Sequence, residues 1–497
     1  MGQFKPQKNV YAVIDLGSNS FHMLIAKSIA GGLQTIGRVK RKVRLAAGLD
    51  KDNVLSTEAM QRGWECLALF AERLQDIPKQ NITIVATATL RLATNADVFK
   101  AQAEKILGHT INVISGELEA RTIYKGVAHT SSCTGKQLVI DIGGASTEVV
   151  IGKGFEALHY KSLNMGCVTY LERYFKDCQL SEANFNAAIK AAHEVIDEIA
   201  PEYKQAGWQI ASGASGTVQA IQEIMVAQHL DELLTLEKLN KIKEQSITFS
   251  TIAALDLPGL SEERRLGFVS GLAILIALFE SLEIEKMGLA GGALREGVLY
   301  SMVPELHNND IRKRTVDGFM DCYHVDQKQA NRVSSLVIQL AEQVGESWPL
   351  VSENALPLLK AAAQLHEIGL LIEYKQYHKH TAYIIENTDM PGFSQSEHKV
   401  IAAVANAHRS DIQKGSFDAL GAHSTLTQYL VRLLRIAVIL SMRRQDDVLP
   451  KIELSVEKDT LDLKFANNWL KEHPLMASEL QQESKLQSKL GWKLIVN

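Results

Sequence analysis

Two stretches of the sequence share one pattern and decide the fold: VIDLGSNS at residues 13–20 and VIDIGGAS at residues 139–146. Each reads as an apolar strand that ends in an aspartate, a tight turn of small polar residues, and the start of a second strand. Asp15 and Asp141 lie 126 residues apart, which is too long for a solenoid repeat and indicates a duplicated domain. Because helix and strand patterns alternate around both copies, we predict an α/β fold.

Local signals around the first copy support this pattern. Ser56 is a candidate N-cap for a helix over about 57–74, and the apolar run 81–86 predicts a buried strand. A short strand at 113–114 leads into a helix that starts near Gly116.

The pattern changes after about residue 305. Strand signals stop and amphipathic helix patterns continue to about Arg443, after which 451–456 and 460–465 alternate like a hairpin and 492–496 reads as a last strand. We therefore predict four domains: two α/β domains at 1–125 and 126–305, an all-helical domain at 306–450, and a small α+β domain at 451–497.

Composition narrows the class of protein. The chain has 497 residues, 46% of them hydrophobic, and a net charge of −4, so bulk charge predicts neither a nucleic-acid nor a membrane partner. The first residues contain no apolar stretch of signal-peptide length, and the apolar runs at 271–279 and 433–440 are too short to span a bilayer. The cysteines are scattered, form no CxxC pair and are expected to be reduced, which favours a cytoplasmic protein; they are Cys66, Cys133, Cys167, Cys178 and Cys322.

The two turns are candidate phosphate sites. Successive backbone N–H groups in a glycine-containing turn form an anion-binding concavity, and nearby hydroxyl and amide groups add donors. A plain hairpin turn explains one such motif, but its repetition predicts two phosphate cradles that face one another across a cleft. The candidate residues are Gly17, Ser18, Asn19 and Ser20 in the first turn, and Gly143, Gly144, Ala145 and Ser146 in the second. At the strand ends, Asp15 and Asp141 are candidate ligands of a divalent cation or its water, and Glu148 is a third candidate.

The segment ISGELEAR at 114–121 stands at a predicted strand-to-helix junction. A carboxylate there can orient and deprotonate water, so Glu117 and Glu119 are both candidates for a catalytic base. Acidic residues in a first helical turn are more often simple capping residues, and the residues alone favour that explanation. Arg91, in TATLR at 87–91, is a candidate phosphate contact of low specificity.

Three further segments carry weaker signals. The glycine turns at 211–217 and 289–297 follow short apolar strands and precede helices, as ligand loops do in open α/β sheets. Basic residues cluster at 37–49, where they predict either attraction of a polyanion or an edge strand protected by charge; they are Arg38, Lys40, Arg41, Lys42 and Arg44. A Walker A loop, a GxSxG elbow and an HExxH motif are absent from the sequence, which argues against a P-loop enzyme, a serine hydrolase and a zincin.

Taken together, these motifs resemble the exopolyphosphatase/guanosine pentaphosphate phosphatase family across essentially the whole chain. The segments that carry the resemblance are VIDLGSNSFHMLIA, TATLR, ISGELEAR, VIDIGGASTEVVIG, NMGCV, ASGASGTVQA, LPGLSEER and GGALREGVLY. VKRKVRLAAGL, Ala145 and Gly291-Gly292 are more similar to the guanosine pentaphosphate phosphatase branch than to the exopolyphosphatase branch. Leu118 departs from the family pattern, in which a glutamate is common.

The resemblance implies a fold and a chemistry. The fold would be a pair of actin-like, Hsp70-like (ribonuclease H-like) domains followed by a helical domain that resembles HD phosphohydrolases. Glu119 would be the general base, Asp141 and Glu148 would position Mg²⁺ or the attacking water, and the two turns would hold phosphates. The reaction would be in-line attack on the terminal phosphoryl group of guanosine pentaphosphate, by a homodimer.

The HD resemblance is incomplete. His366-Glu367 stands where such an enzyme has His-Asp, with His378, His380 and His408 nearby, so we expect a packing, dimerisation or channel role.

Three other functions remain open on the sequence alone. They are exopolyphosphatase action on inorganic polyphosphate, non-catalytic sensing of guanosine tetra- or pentaphosphate, and a sugar-kinase-type phosphoryl transfer.

Overall fold

The computed structural model describes residues 9–29, 32–131, 135–303, 310–345, 347–350, 355–413 and 415–497. The chain divides into two compact units, one formed by residues 1–28 and 33–311 and the other by 29–32 and 312–497. Both predicted α/β domains fall in the first unit, and the helical and C-terminal domains fall in the second. The predicted boundary at 305/306 and Cys133 lie outside the described residues, and the boundary at 125/126 falls inside a helix.

The first sheet of unit 1 is built around the strand that precedes the first turn. Its strands are β1 (Val10–Leu16), β2 (Ser20–Ile29), β3 (Gly32–Lys42), β4 (Ile82–Ala86) and β5 (Asn112–Val113), in the order β3-β2-β1-β4-β5. β1 is antiparallel to β2 and parallel to β4. Its residues are apolar on both faces and mostly buried, as expected for a central strand covered by helices on both sides.

The second sheet repeats this arrangement. Its strands are β6 (Lys136–Ile142), β7 (Thr147–Lys153), β8 (Glu156–Leu163), β9 (Ile210–Gly213) and β10 (Gly288–Leu289), in the order β8-β7-β6-β9-β10. β6 is antiparallel to β7 and parallel to β9, as β1 is to β2 and β4. The predicted α/β class and the predicted duplication are therefore both observed.

Helices connect and cover the two sheets. They are α1 (Thr57–Leu74), α2 (Ala88–Leu92), α3 (Ala96–Leu107), α4 (Gly116–Ala128), α5 (Cys167–Tyr174), α6 (Glu182–Ile196), α7 (Ala200–Ala206), α8 (Gly216–Ala227), α9 (Leu236–Ile247), α10 (Arg265–Leu282) and α11 (Leu294–Met302). Ser56, Ser115 and Ser215 cap α1, α4 and α8, because each hydroxyl accepts a hydrogen bond from the N–H three residues on.

The longest apolar helix contains the run at 271–279. Together with the short turn before it, this helix extends over Glu262–Leu282. Among the described residues, it is long enough and apolar enough to cross a membrane, judged by length and composition alone. However, 72% of its most apolar window is buried inside the protein, and Phe268–Phe279 are all buried. It is the central helix of a hydrophobic core, which accounts for its composition.

Unit 2 begins with helices and ends with a small sheet. Its helices are α12 (Ile311–Cys322), α13 (Gln327–Val344), α14 (Ala355–Leu365), α15 (Tyr377–Glu386), α16 (Gln395–Ala407), α17 (Ser424–Leu440), α18 (Trp469–Glu472) and α19 (Pro474–Ser488). Its strands are β11 (Ile452–Glu457), β12 (Thr460–Phe465) and β13 (Lys493–Val496), in the order β11-β12-β13. One hydrophobic core runs through both parts, and the buried ion pair of Arg435 with Glu483 joins α17 to α19 at 2.6 Å.

Within unit 1, the backbones of α4 and α11 contact each other directly at two points, with no side chain between them. A Cβ on Gly126 would collide with the carbonyl oxygen of Ala293, and a Cβ on Gly297 would collide with the carbonyl oxygen of Thr122. Neither glycine has a positive φ, so close approach rather than backbone conformation demands glycine here.

Replacement of Gly297 by alanine is expected to destabilise the protein. Alanine has a helix propensity about 1 kcal/mol better than glycine, but overpacking against a backbone carbonyl costs about 1–3 kcal/mol or more. Denaturant unfolding should therefore show a lower free energy of unfolding for Gly297→Ala. Gly37→Ala is the matched control, because its Cβ would meet only ordinary contacts with Ile25 at 3.7 Å. Equal stability of the two variants would contradict the prediction.

Candidate active site

The two turns open into one pocket of unit 1, with a volume of about 460 Å³. Its walls come from the ends of β1 and β6, the two phosphate turns, the N-terminal half of α4, one edge of β3, and both weaker glycine turns that the sequence singled out. The carboxyl ends of strands from both sheets thus supply one site, as is usual for open α/β sheets.

The two phosphate turns touch one another. A Cβ on Gly144 would lie 2.8 Å from the Cβ of Ser18 and 3.2 Å from the backbone nitrogen of Asn19. Gly17 and Gly143 each lie close to the carbonyl oxygen of the residue three positions later. A Cβ on Gly17 would lie 2.9 Å from the oxygen of Ser20, and a Cβ on Gly143 would lie 3.0 Å from the oxygen of Ser146. Glycine is therefore required for the turns to close and to face each other.

The residues predicted to bind phosphate are not all placed alike. Gly17–Ser20, Gly143, Gly144 and Ser146 line the pocket, whereas Ala145 does not. Ala145 is buried with its backbone nitrogen against Gly166, where a Cβ would lie 2.5 Å away. The oxygens Ser20 Oγ and Asp15 Oδ1 are buried and have no hydrogen-bond partner within the protein, so both are available to a ligand.

Asp141, Glu148 and Ser162 form a row across three strands. Asp141 on β6 is opposite Glu148 on β7, and Glu148 is opposite Ser162 on β8, so the three side chains share one face of the sheet. The hydroxyl of Ser162 donates a hydrogen bond of 2.7 Å to Oε1 of Glu148. Burial, followed by the charges of Glu119 and Asp141, raises the pKa of Glu148 well above its usual value. Sequence inspection gave no signal for Ser162.

Of the two candidate bases, the structure brings only Glu119 to the pocket. Glu117 is exposed, whereas the Glu119 side chain is buried, and its Oε2 accepts a hydrogen bond of 3.0 Å from Nη1 of Arg91. Burial raises the pKa of Glu119 to about 7; Arg91 opposes this shift, and the charges of Asp15 and Asp141 add to it. A carboxyl group with this pKa is suited to exchange a proton near neutral pH.

Arg91 lies behind the base rather than in the pocket lining. The same Nη1 also donates to the carbonyl oxygen of Ile114 at 2.9 Å, so the guanidinium ties the end of β5 to the carboxylate on α4. The structure thus gives Arg91 a position in which it orients Glu119, while its predicted phosphate contact stays a prediction.

Burial is also the largest cause of the pKa shifts of the two aspartates at the strand ends. It raises the pKa of Asp15 to about 6, an effect that Arg295 opposes. It raises the pKa of Asp141 to about 7, with the charge of Asp15 adding and that of Arg295 opposing. Arg295 belongs to the glycine turn at 289–297, where the motif indicates a ligand loop but does not single out the arginine.

The basic cluster lies on an edge strand, as one of its two interpretations predicted. Arg38, Lys40 and Lys42 line the pocket, while Arg41 does not, because alternate side chains of β3 point to opposite faces. Arg44 follows the end of β3, has a positive φ of 51° and does not line the pocket. Arg264, from the segment before α10, joins this positive rim. Burial and the neighbouring positive charges, first that of Arg264, lower the pKa of Lys40.

The donors present suit a hard divalent cation that is shared with a ligand. Within the described ranges, no three His, Cys, Asp or Glu side chains converge to hold an ion without other ligands. The unpaired buried Oδ1 of Asp15, with Asp141 beside it, fits a cation such as Mg²⁺, which keeps several waters and binds through one or two carboxylates plus substrate phosphates.

The histidines of unit 2 form a packed cluster. The rings of His366 and His408 lie 5.2 Å apart and those of His378 and His408 lie 6.3 Å apart, and the carboxylate of Glu367 pairs with Arg444. Burial lowers the pKa of each of these three histidines, so they are neutral at neutral pH. His380 is partly exposed. The arrangement is consistent with the expected packing role.

The raised pKa of Glu119 predicts a pH-dependent stability difference. Because the folded-state pKa is about 7 and the usual value is 4.5, the carboxyl group stabilises the fold fully below about pH 4.5 and loses this contribution as pH rises through about 7. The free energy of unfolding of Glu119→Gln should therefore improve relative to the native chain as pH rises over this window. Denaturant titrations at several pH values measure it, with exposed Glu117→Gln as control. A difference that is constant with pH would contradict the shift.

Comparison with known proteins identifies the family to which the chain belongs. Residues 24–306 match the model of the Ppx/GppA phosphatase family, and residues 311–484 match that of Ppx/GppA phosphatase, domain III. Over the full length of both chains, the protein is 84% identical to the guanosine-5'-triphosphate,3'-diphosphate pyrophosphatase of Pseudoalteromonas translucida (strain TAC 125). It is 51% identical to the protein of that name from Aliivibrio fischeri (strain ATCC 700601 / ES114), over 98% of each chain.

Solved structures agree over the first part of the chain. An exopolyphosphatase from Cytophaga hutchinsonii is 25% identical with a TM-score of 0.54, over 59% of this chain and 97% of that one. A family member from Aquifex aeolicus, at 23% identity and a TM-score of 0.51, covers 60% of this chain and 99% of that one, and shows the fold alone. The protein therefore belongs to the Ppx/GppA phosphatase family.

Proposed function

We propose that the protein hydrolyses the terminal 5′-phosphate of guanosine pentaphosphate, giving guanosine tetraphosphate and inorganic phosphate. The observation that carries this proposal is a buried carboxyl group, Glu119, with a pKa of about 7, in a pocket formed by two facing phosphate turns. The relatives at 84% and 51% identity, which are named guanosine-5'-triphosphate,3'-diphosphate pyrophosphatases, support the same substrate.

The reaction is in-line attack of water on the terminal phosphorus. Glu119 takes a proton from the water, the new P–O bond forms, and the bond from phosphorus to the bridging oxygen breaks, leaving that oxygen on the diphosphate. Arg91 fixes the carboxylate for this step through its hydrogen bond to Oε2. Positioning and charge stabilisation supply most of the acceleration in phosphoryl transfer.

The two turns hold the phosphate chain. Their backbone N–H groups and the hydroxyls of Ser18, Ser20 and Ser146 are the donors, since these residues line the pocket. Asp15, Asp141 and Glu148 would position Mg²⁺ or its water, with one or two of these carboxylates binding the cation alongside phosphate oxygens. When bound, the cation neutralises phosphate charge and polarises the phosphoryl group.

The positive rim favours a substrate with a second phosphate group. Arg38, Lys40 and Lys42 line the pocket from β3, whereas the turns that receive the terminal phosphate line it from the ends of β1 and β6. A nucleotide with phosphates at both the 5′ and 3′ positions can place one group at the turns and the other at the rim. Inorganic polyphosphate, the second candidate substrate, can follow the same path but offers no nucleoside to recognise.

The fold supports finer assignments of the same kind. We assign the duplicated domains to the actin-like type because the two sheets have the same strand order. We assign the helical part of unit 2 to a degenerate HD type because Glu367 replaces the aspartate and is paired with Arg444. A cytoplasmic homodimer fits the family resemblance. Sedimentation of the purified chain and fractionation of cells test these last two assignments.

Phosphate release should discriminate the candidate functions. With Mg²⁺, we expect much higher kcat/KM on guanosine pentaphosphate than on long-chain polyphosphate, and no release after chelation of the metal. Glu119→Gln should lower kcat by about 10²–10⁴, the usual contribution of a general base. Exposed Glu117→Gln should retain native activity.

Each other outcome has a definite meaning. Preference for polyphosphate would assign the chain to the sister reaction with the same base. Binding of the nucleotide without phosphate release, unchanged in Glu119→Gln, would favour a sensor, and phosphate transfer to a sugar hydroxyl would favour a kinase.

A further inference from the structure

The two copies of the duplicated motif differ in the residue that lies opposite the aspartate at the end of the first strand. In the second copy, the residue opposite Asp141 on the neighbouring strand is Glu148. In the first copy, the corresponding residue opposite Asp15 is His22. Both line the pocket, so one half of the site presents a carboxylate where the other presents an imidazole.

His22 binds a guanidinium. Nη1 of Arg295 lies 2.7 Å from Nδ1 of His22. Because a guanidinium can only donate, Nδ1 of His22 is the acceptor in this contact. Burial, then the charges of Arg295 and Lys40, also lower the pKa of His22 to about 3. A neutral acceptor fixes the arginine without cancelling its charge.

The charge of Arg295 is also left without a direct ion pair. Among the described residues, no carboxylate oxygen lies within 4.0 Å of its nitrogens, although the fields of Asp15 and Asp141 reach it. By contrast, Arg91 is paired with Glu119, Arg264 is paired with Glu223, and Arg38 lies 4.0 Å from Glu296. Arg295 is thus a fixed cation in the pocket with donors to spare, and a guanidinium fork binds phosphate oxygens in pairs.

The backbone holds this cation at a set distance from the base. Arg295 is near the start of α11, whose glycine contacts with α4 leave no room for a side-chain layer, and α4 carries Glu119. The arginine and the base therefore belong to one rigid pair of helices.

We propose that Arg295 is a catalytic residue that binds the phosphoryl group under attack, and that His22 is its positioning residue. The role rests on the proposed phosphohydrolase function, and it corresponds to an arginine that stabilises transition-state charge within the same chain. The alternative is that Arg295 only balances the charge of Asp15 and Asp141.

Binding of inorganic phosphate and of tripolyphosphate, measured by calorimetry with Mg²⁺, tests the role independently of which natural substrate the enzyme uses. Arg295→Gln should weaken binding of both at least about 10-fold and lower kcat by about 10³, within the range for loss of such an arginine. Arg295→Lys keeps the charge but not the fork and should recover part of both. Arg73→Gln, which removes an exposed arginine of α1, should match the native chain.

The positioning role of His22 has its own readout. His22→Leu should lower kcat about 10-fold, while His22→Asn, whose amide oxygen can accept the same bond, should restore most of it. Folding of each variant is checked by thermal melting. Native phosphate and tripolyphosphate binding in a folded Arg295→Lys would overturn the proposal in favour of charge balance, and native binding in a folded Arg295→Gln would overturn it outright. Loss of binding in these variants would support it even if guanosine pentaphosphate proved not to be the substrate.

Discussion

Burial of carboxyl groups at the point where the two phosphate turns meet is the constraint on which the rest of the site depends. Asp15, Glu119, Asp141 and Glu148 are brought together in one pocket, and desolvation is the largest cause of the raised pKa of each. Charged groups are costly to bury without partners, and this cost raises the pKa of Asp15 to about 6 and the pKa values of Glu119 and Asp141 to about 7, close to neutral pH. A cation and a phosphate chain supply the missing partners, which links substrate binding to the state of the base.

Much of the fold could be predicted because its signals are local. The repeated strand, aspartate and turn at 13–20 and 139–146 reported the duplication, and the N-cap at Ser56 predicted α1 with its observed bounds. The division of the chain into compact units was predicted less well from the sequence. The boundary expected at 125/126 falls inside α4, and one hydrophobic core joins the helices of unit 2 to its small sheet. Such sharing depends on contacts between distant segments, which a single sequence does not display.

The candidate site shows the same limit. Its turns and Glu119 were predicted from motifs, but the choice between Glu117 and Glu119 from the residues alone needed the helix to be placed against the sheets. Arg91 was predicted as a phosphate contact, and the structure adds its hydrogen bond to Glu119, which no sequence motif indicated. His22, Ser162 and Arg295 carried no distinct signal, since their roles arise from cross-strand register and from a helix contributed late in the chain.

The glycine contacts between α4 and α11 have a consequence for tolerance to sequence change. Distances set through side chains vary with rotamer and can be readjusted by a neighbouring substitution. Where two backbones touch, as at Gly126 and Gly297, no such adjustment exists. The distance between α4 and α11 is therefore fixed by their backbones. Residues on the two helices can change in side-chain chemistry, but the distance between their backbones cannot change.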